Sequence, residues 1–379
     1  MRVAVYSDLE YRRDDAGVSS NESFLIFIVQ LARHLERLTL VGRLDPAPGR
    51  LPYSVPADVA FVRLAHYSSL ARPWSASKAM ARSLRRFWSA LDDVDAVWLM
   101  GPHPLAIAFA AMAALRGRRI VLGTRQDMPE HMRSRHPDRV DIKLFTAVLE
   151  SCWRFLARRC AMVAVGPQLA RKYRGPRVAS IVIPLVEEDQ IVTLEEALNR
   201  SYDGELSILS VGRVEPEKNP LLLVDVLERL RDEDPRWRLV VCGEGSMLEP
   251  LRRRLAEAGL DEHADLRGFV ALDGGLRDFY RESHAFLHVS FTEGVPQVLF
   301  EAFAAGTPIV ATAVGGVADV ADGAALLMPP ADESAAVDAL RRIVTEPALR
   351  EELIESGLRR LDRYSLDEES LKVVRLLRG

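Results

Sequence analysis

The chain has 379 residues with 50 Lys and Arg against 54 Asp and Glu, a net charge of −4; that length suits two domains, each able to bury its own core. Such a balance points to no nucleic-acid partner, no apolar run reaches about 18 residues to span a membrane, and the opening MRVAVYSDLE reads as a strand rather than a signal peptide. The three cysteines, Cys152, Cys160 and Cys242, show neither C-x-x-C nor zinc spacing and suit a reducing cytoplasm.

Short apolar strands alternate with amphipathic helices along the whole chain, which is the pattern of parallel α/β sheets. In the first half, strands are expected near Val3–Tyr6, Thr39–Val41, Val59–Val62, Ala96–Leu99, Arg119–Leu122, Met162–Val165 and Ala179–Ile183. Ligands of such sheets sit beyond the carboxyl ends of the strands. Three loops of this half therefore matter. Ser7–Asn21 precedes a helix over Glu22–Leu38, and Gly17, Ser19 and Ser20 are its residues suited to a close backbone approach or an N-cap. Gly101-Pro102-His103-Pro104 follows the fourth strand, and Thr124-Arg125-Gln126-Asp127 follows the fifth. Arg125 offers five donors in a rigid fork, which Asp127 could hold in place.

Charge divides the chain. Residues 1–187 hold 28 Lys and Arg against 17 Asp and Glu, and the remainder holds 22 against 37. A boundary near Pro184–Tyr202 separates a basic half from an acidic one. The basic half contains Lys78–Trp88 and Trp153–Arg159, where cations and aromatics share helical spacing. Such segments can dock on anionic lipid, and they can equally be solvated faces with long stems lying along the surface.

In the second half, strands are expected at Leu206–Val211, Trp237–Cys242, Ala264–Arg267, Ala285–Val289 and Pro308–Ala311. The first empties into Gly212-Arg213-Val214-Glu215-Pro216-Glu217-Lys218, a polar turn that starts a helix over Leu221–Arg231. Gly243-Glu244-Gly245 follows the second strand and Arg267-Gly268-Phe269-Val270 ends the third. The densest motif is FTEGVPQVLFEAFAAGTPIVATAVGG, Phe291–Gly316. Glu293 and Glu301 stand eight residues apart around Gly294-Val295-Pro296, where Pro296 suits the first helical position. Gly306 stops the helix, and Gly315-Gly316 closes the segment. Backbone N–H groups of a helix opening onto a glycine turn favour an anion.

These residues resemble the signatures of retaining nucleotide-sugar glycosyltransferases of GT-B fold, in particular glycosyltransferase family four. The resemblance implies two Rossmann-like doubly wound domains facing across a cleft. Residues 1–187 would hold the acceptor, 188–362 would hold the nucleotide sugar, and a final helix within 363–379 would pack back on the first domain. It implies that Glu293 contacts the donor sugar and Glu301 the ribose, while Arg213 and Lys218 clamp the diphosphate, as fixed cations stabilise charge that builds on a leaving group. Gly243 and Gly245 match the G-x-G at the nucleotide, Phe269 and Val270 the loop whose backbone reads the base, and Gly294, Val295 and Pro296 the phosphate-facing turn. Relatives carry Gly-Gly where this chain has Ala16-Gly17, so close approach there rests on Gly17. They also place a His where this chain has Arg125 or Gln126, next to Asp127.

The expected activity is transfer of a sugar from a UDP- or GDP-linked donor to a glycan, lipid-linked or small-molecule acceptor hydroxyl. It would proceed with retention by front-face displacement, without cofactor or metal, in the cytoplasm and with a possible anionic membrane surface on its inner face. His103 is a candidate acceptor-side hydrogen-bonding group. A nucleotide-sugar 2-epimerase of the same fold is the alternative. A pyridine-nucleotide oxidoreductase is disfavoured, because the first strand is followed by Ser7-Asp8-Leu9 and not by G-x-G-x-x-G.

Overall fold

A computed structural model describes residues 1–67, 73–135 and 139–379. The chain forms two compact units: Met1–Ile183 together with Leu366–Gly379, and Pro184–Ser365.

The first unit is built on β1 (Arg2–Asp14), β2 (Gly17–Ser20), β3 (Arg37–Leu44), β4 (Tyr53–Ser54), β5 (Ala60–Leu64), β6 (Ala96–Met100), β7 (Arg119–Thr124), β8 (Ala161–Val165) and β9 (Val178–Ile181). The order β4-β2-β1-β6-β7-β8-β9 has β3 paired to β1 and β5 to β3. Every pairing is parallel except those of β2 with β1 and with β4. Both faces of the central strands are covered, so β6 and β8 read as unbroken apolar runs.

The first loop corrects an expectation. Ser7–Asn21 is not an open loop before a long helix: β1 runs on to Asp14 and turns back as β2. Leu9 and Tyr11 are buried while Asp8 is exposed and Glu10 and Arg12 are half-buried, a period-two alternation that marks a half-buried strand. A register shift between Tyr6 and Glu10 lets one strand serve both the parallel sheet and the hairpin. Gly17 therefore sits at a hairpin turn, with φ of +132° and open space where a Cβ would be. Ser19 and Ser20 are buried in the hairpin, Ser19 accepting from the Leu51 N–H at 2.9 Å and Ser20 donating to the Glu10 carbonyl at 3.0 Å. The helix that follows spans only Phe24–Gln30, with a tighter turn over Leu31–His34.

The second unit carries β10 (Leu206–Val211), β11 (Trp237–Cys242), β12 (Ala264–Gly268), β13 (Ala285–His288), β14 (Ile309–Thr312) and β15 (Leu326–Met328), all parallel, in the order β12-β11-β10-β13-β14-β15. Leu206, Ile208, Leu239, Val241 and Leu287 on the strands pack with Val226, Leu230, Leu251 and Leu340 from the covering helices. Strand order reverses between β10 and β13, and the loops leaving the carboxyl ends of those two strands hold the motifs described below.

The final helix, Leu366–Arg378, belongs to the first unit. Its Glu369 is fully buried, but the carboxylate accepts the Val182 N–H at 3.0 Å and pairs with Lys372 at 2.5 Å. Asp367 accepts from Gln30 at 3.0 Å and lies 2.8 Å from His34 Nε2. The partners of Glu369 offset the cost of burying its carboxylate.

Candidate functional site

In the second unit, β10 ends at Val211 and the chain turns through Gly212 into Arg213–Lys218. Asn219 takes the left-handed conformation (φ 52°) that an Asn tolerates, and releases the chain into the helix Leu222–Glu233. β13 ends at His288, and the loop after it carries Ser290 and Glu293. The two loops are tied by the Phe291 N–H donating to the Glu217 carbonyl at 2.9 Å. Across that tie, Lys218 Nζ meets Glu293 Oε1 at 2.5 Å although the residues lie 75 apart in sequence. Ser290 donates to the same oxygen at 2.7 Å, and His288 Nε2 stands 2.9 Å from it but outside hydrogen-bond geometry.

Glu293 is only 9% exposed. Burial alone would push its carboxyl up; Lys218 and His288 outweigh burial and hold it well below the usual carboxylate range. It is an anion fixed in a largely dry loop. Arg213 is half-exposed, and its Nη2 pairs with the buried Glu217 at 2.9 Å. Lys218 and Arg213 thus have carboxylate partners that set where their charges stand.

Two glycines make the Glu293 turn possible. Gly315 has φ of +53°, and a Cβ there would lie 1.8 Å from the Glu293 carbonyl oxygen. Gly316 donates its N–H to the Gly294 carbonyl at 2.7 Å, and a Cβ on it would approach that oxygen to 2.3 Å. On the other side, Gly243 and Gly245 let the loop after β11 lie against the Gly212–Val214 backbone: added Cβ atoms would sit 1.8 Å from the Gly212 oxygen and 2.2 Å from the Val214 oxygen. The Val214 N–H donates to the Glu244 carbonyl at 2.8 Å. The backbone approach is therefore glycine-dependent at all four positions.

Pro296 is the N-cap, with extended backbone, and the helix starts one residue later at Gln297 and runs to Ala304; the proline was expected inside the first turn. Glu301 lies on that helix. Tyr280 donates to its Oε2 at 2.9 Å, and burial pushes its carboxyl up to about 7 against the lowering effects of Tyr280 and the Arg277 charge. A recess with room for about one water lies beside it, lined by Gln190, Arg277 and Tyr280 among others. Phe269 is half-exposed and Val270 partly buried after β12.

The first unit distributes its polar groups differently. His103 is buried and caps the helix Pro104–Leu115 by accepting the Leu105 N–H at 3.1 Å. Its Nδ1 also lies 2.9 Å from the Tyr6 hydroxyl, and its Nε2 3.1 Å from the Tyr67 hydroxyl. Burial holds its pKa below the usual value, so the ring is neutral near pH 7. His103, read from the sequence as an acceptor-side hydrogen-bonding group, is enclosed. Tyr67 donates to Asp8 at 3.2 Å, and Arg43 donates to the same carboxylate at 2.8 Å. Asp8, 35% exposed, is where this network reaches the surface.

Arg125 and Asp127 do not pair. Arg125 stacks over the Phe24 ring at 4.5 Å and stands 3.7 Å from Glu22. Asp127 forms an ion pair with Lys172 and accepts the Glu130 N–H at 3.3 Å, capping the helix Met128–Arg135. Among the described residues, Glu10, Asp45 and His66 form one group with metal-ligand atoms in mutual reach. Arg12 and the Ala47 N–H already occupy Asp45, at 2.9 and 3.0 Å. Sequence reasoning missed His288, Ser290 and Tyr280. The first two had a signal, since they sit five and three residues before Glu293, at and just beyond the end of an apolar strand.

The two doubly wound parallel sheets, with this loop constellation on the second, define a GT-B fold. Sucrose-phosphate synthase from Thermosynechococcus elongatus superposes with a TM-score of 0.76 at 18% identity, covering 100% of this chain and 98% of that one. Anabaena HepE in complex with UDP-glucose superposes with a TM-score of 0.70 at 15% identity, covering 100% and 99%. At those identities the likeness is one of fold. Residues 194–360, most of the second unit, match the family described as glycosyl transferases group 1. A curated relative, the D-inositol 3-phosphate glycosyltransferase of Kribbella flavida, is 32% identical over 195 residues, 46% of this chain and 45% of the relative. The chain spans less than half the length of the curated relatives it matches.

Proposed function

We propose that the protein is a retaining glycosyltransferase that moves a sugar from a UDP- or GDP-linked donor, bound by residues 184–365, to a hydroxyl of an acceptor bound by the first unit. The observation that carries this reading is the junction of two distant motifs at Lys218 and Glu293, which places a cation and an ionised carboxylate at the ends of adjacent parallel strands. Arg213 and Lys218 face the diphosphate, with the N–H groups that follow Gly294-Val295-Pro296. Glu293 accepts from hydroxyls of the donor sugar, and Glu301 from the ribose. Gly243 and Gly245 give the nucleotide access to backbone, and Phe269 and Val270 border the base.

The sugar–phosphate bond breaks as the acceptor oxygen enters from the same face, and the departing phosphate oxygen takes the acceptor proton. Fixed cations stabilise the charge developing on that phosphate more than they stabilise the bound donor. They supply the neutralisation, so the reaction as proposed needs neither metal nor cofactor. In the first unit, Gly17 and Arg125 border the acceptor and donor sugar, while Asp127 and His103 act through the helices they cap. A glycan, lipid-linked or small polyol acceptor fits this reading; the relative that acts on D-inositol 3-phosphate illustrates the last. Three unpaired cysteines agree with a cytoplasmic setting. No described helix is long and apolar enough to cross a membrane, so contact with lipid, proposed at the inner face, would be peripheral.

Thermal-shift screening against UDP-, GDP-, ADP- and TDP-sugars tests the donor class, since a ligand at 100 times its Kd adds about 2.7 kcal/mol. Stabilisation by a UDP- or GDP-sugar, followed by product with the donor's anomeric configuration, is expected. Inverted product would overturn retention, and acceptor-free conversion of the donor to its 2-epimer would replace transfer with epimerisation.

A further inference from the structure

We propose that the outward face of the helix Val140–Ala157 in the first unit docks on a membrane surface rich in anionic lipid. The helix turns Thr146, Glu150, Trp153 and Ala157 inward, all buried. Trp153 is thus not available to lipid, contrary to the expectation for Trp153–Arg159. The opposite face is the unusual one. Val140, Leu144, Phe145, Val148 and Phe155 are 74%, 67%, 47%, 54% and 53% exposed. Their spacing, with steps of four from Val140 to Val148 and of seven from Val148 to Phe155, puts them along one side. A surface helix ordinarily turns its polar residues to water. Single exposed apolar side chains are common, whereas five on one helix face mark an interaction surface.

Charge selects the occupant. Arg154, Arg158 and Arg159 are exposed around the carboxyl end, and Arg159 lies 4.0 Å over the Phe155 ring. The two acids of the helix are neutralised: Asp141 is held by Arg139 at 2.6 Å, and Glu150 faces inward to Arg154 and Tyr173 at 2.8 and 3.3 Å. Apolar side chains at acyl depth with arginines at headgroup level match an anionic bilayer, and the surplus of cations in residues 1–187 adds attraction. The other basic helix, Pro73–Ala90, exposes only Trp88 among its described large apolar side chains, with Arg116 stacked over it at 4.1 Å. It offers nothing comparable to insert.

This inference rests on the peripheral-membrane part of the proposed function and is independent of sugar transfer. The test is sedimentation of the full chain with vesicles of phosphatidylcholine alone or mixed with phosphatidylglycerol. Wild type should bind the mixed vesicles about tenfold or more tightly than the neutral ones, and less so as salt rises. Leu144→Asp/Val148→Asp should abolish binding with an unchanged melting temperature, because both side chains are exposed. Arg158→Ala/Arg159→Ala should remove most of the preference for phosphatidylglycerol. Binding by wild type that the Leu144/Val148 variant retains would overturn the assignment of this helix and leave peripheral binding standing. No binding by wild type to either vesicle would overturn both. A wild-type dimer that the same variant converts to monomer, without vesicle binding, would give the face to a second copy of the chain and overturn the lipid assignment.

Discussion

The polar clusters of the two units are assembled in opposite ways. In the second unit, Arg213, Lys218, His288, Ser290 and Glu293 come from the last residue of β13 and the two short loops after the adjacent strands β10 and β13. In the first, Tyr6, Asp8, Arg43, Tyr67 and His103 come from four chain segments, with one or two residues each, and meet only because β1, β3, β5 and β6 lie side by side. The central carboxylates differ too: Glu293 is 9% exposed and Asp8 35%. A dense loop pair buries its charge and depends on each partner. A dispersed network at a half-open surface tolerates loss of one member, because water can replace it.

The sharpest contrast is expected at Lys218. Lys218→Ala leaves Glu293 buried without its main counter-charge, which should cost about 3–5 kcal/mol in denaturant unfolding, besides lowering kcat/KM. Lys218→Ala/Glu293→Ala should recover part of that stability. Arg43→Ala, which strips Asp8 at the open surface, should cost clearly less. Equal costs would erase the distinction.

Glu301 adds a pH test. Its folded pKa of about 7 exceeds the ordinary carboxylate value of 4.5, so the native state holds a proton that the unfolded chain has lost. Stability from this group is full below pH 4.5 and falls as pH rises to about 7, by no more than about 3 kcal/mol. Binding of a nucleoside diphosphate through the Glu301 carboxylate should run the other way and tighten up to pH 7. Glu301→Gln should flatten both profiles; unchanged profiles would remove Glu301 from the ribose.

Smaller effects separate the glycines and the cations after β7. Gly315→Ala meets the Glu293 carbonyl as well as an unfavourable φ, and should cost about 1–3 kcal/mol with a loss of transfer. Gly17→Ala meets open space but keeps an unfavourable φ, and should cost about 1–2 kcal/mol. Arg125→Ala removes a stack on Phe24 worth about 0.5–1 kcal/mol. It should lower transfer about tenfold while leaving nucleotide affinity unchanged. Intact transfer would make Arg125 structural.

What the sequence disclosed follows the same division. The strands of both sheets were legible because buried parallel strands are unbroken apolar runs bounded by turns, as at Leu206–Val211. The three-residue β15 is too short to show a period. The hairpin of β1 and β2 was missed because its charges outnumber its apolar residues, and only the alternation of Leu9 and Tyr11 betrays it. Glu293, Glu301, Arg213 and Lys218 stood out because loop chemistry is compact in sequence, yet no spacing announces that Lys218 bonds Glu293 or that Tyr280 bonds Glu301. In the first unit the partners of His103 lie 97 and 36 residues away. The sheet order alone brings them together.

The central claim is that residues 184–365 hold the nucleoside diphosphate through Arg213, Lys218 and Glu301. Calorimetric titration of the full chain with UDP and GDP measures this directly, comparing wild type with Arg213→Ala, Glu301→Ala and the first-unit variant Tyr67→Phe. Arg213→Ala should weaken Kd about 10- to 150-fold, the loss of one charged hydrogen bond of roughly 1.5–3 kcal/mol. Glu301→Ala should weaken it in the same direction, and Tyr67→Phe should leave Kd unchanged. Wild-type affinity in both second-unit variants, or a loss confined to Tyr67→Phe, would contradict the account.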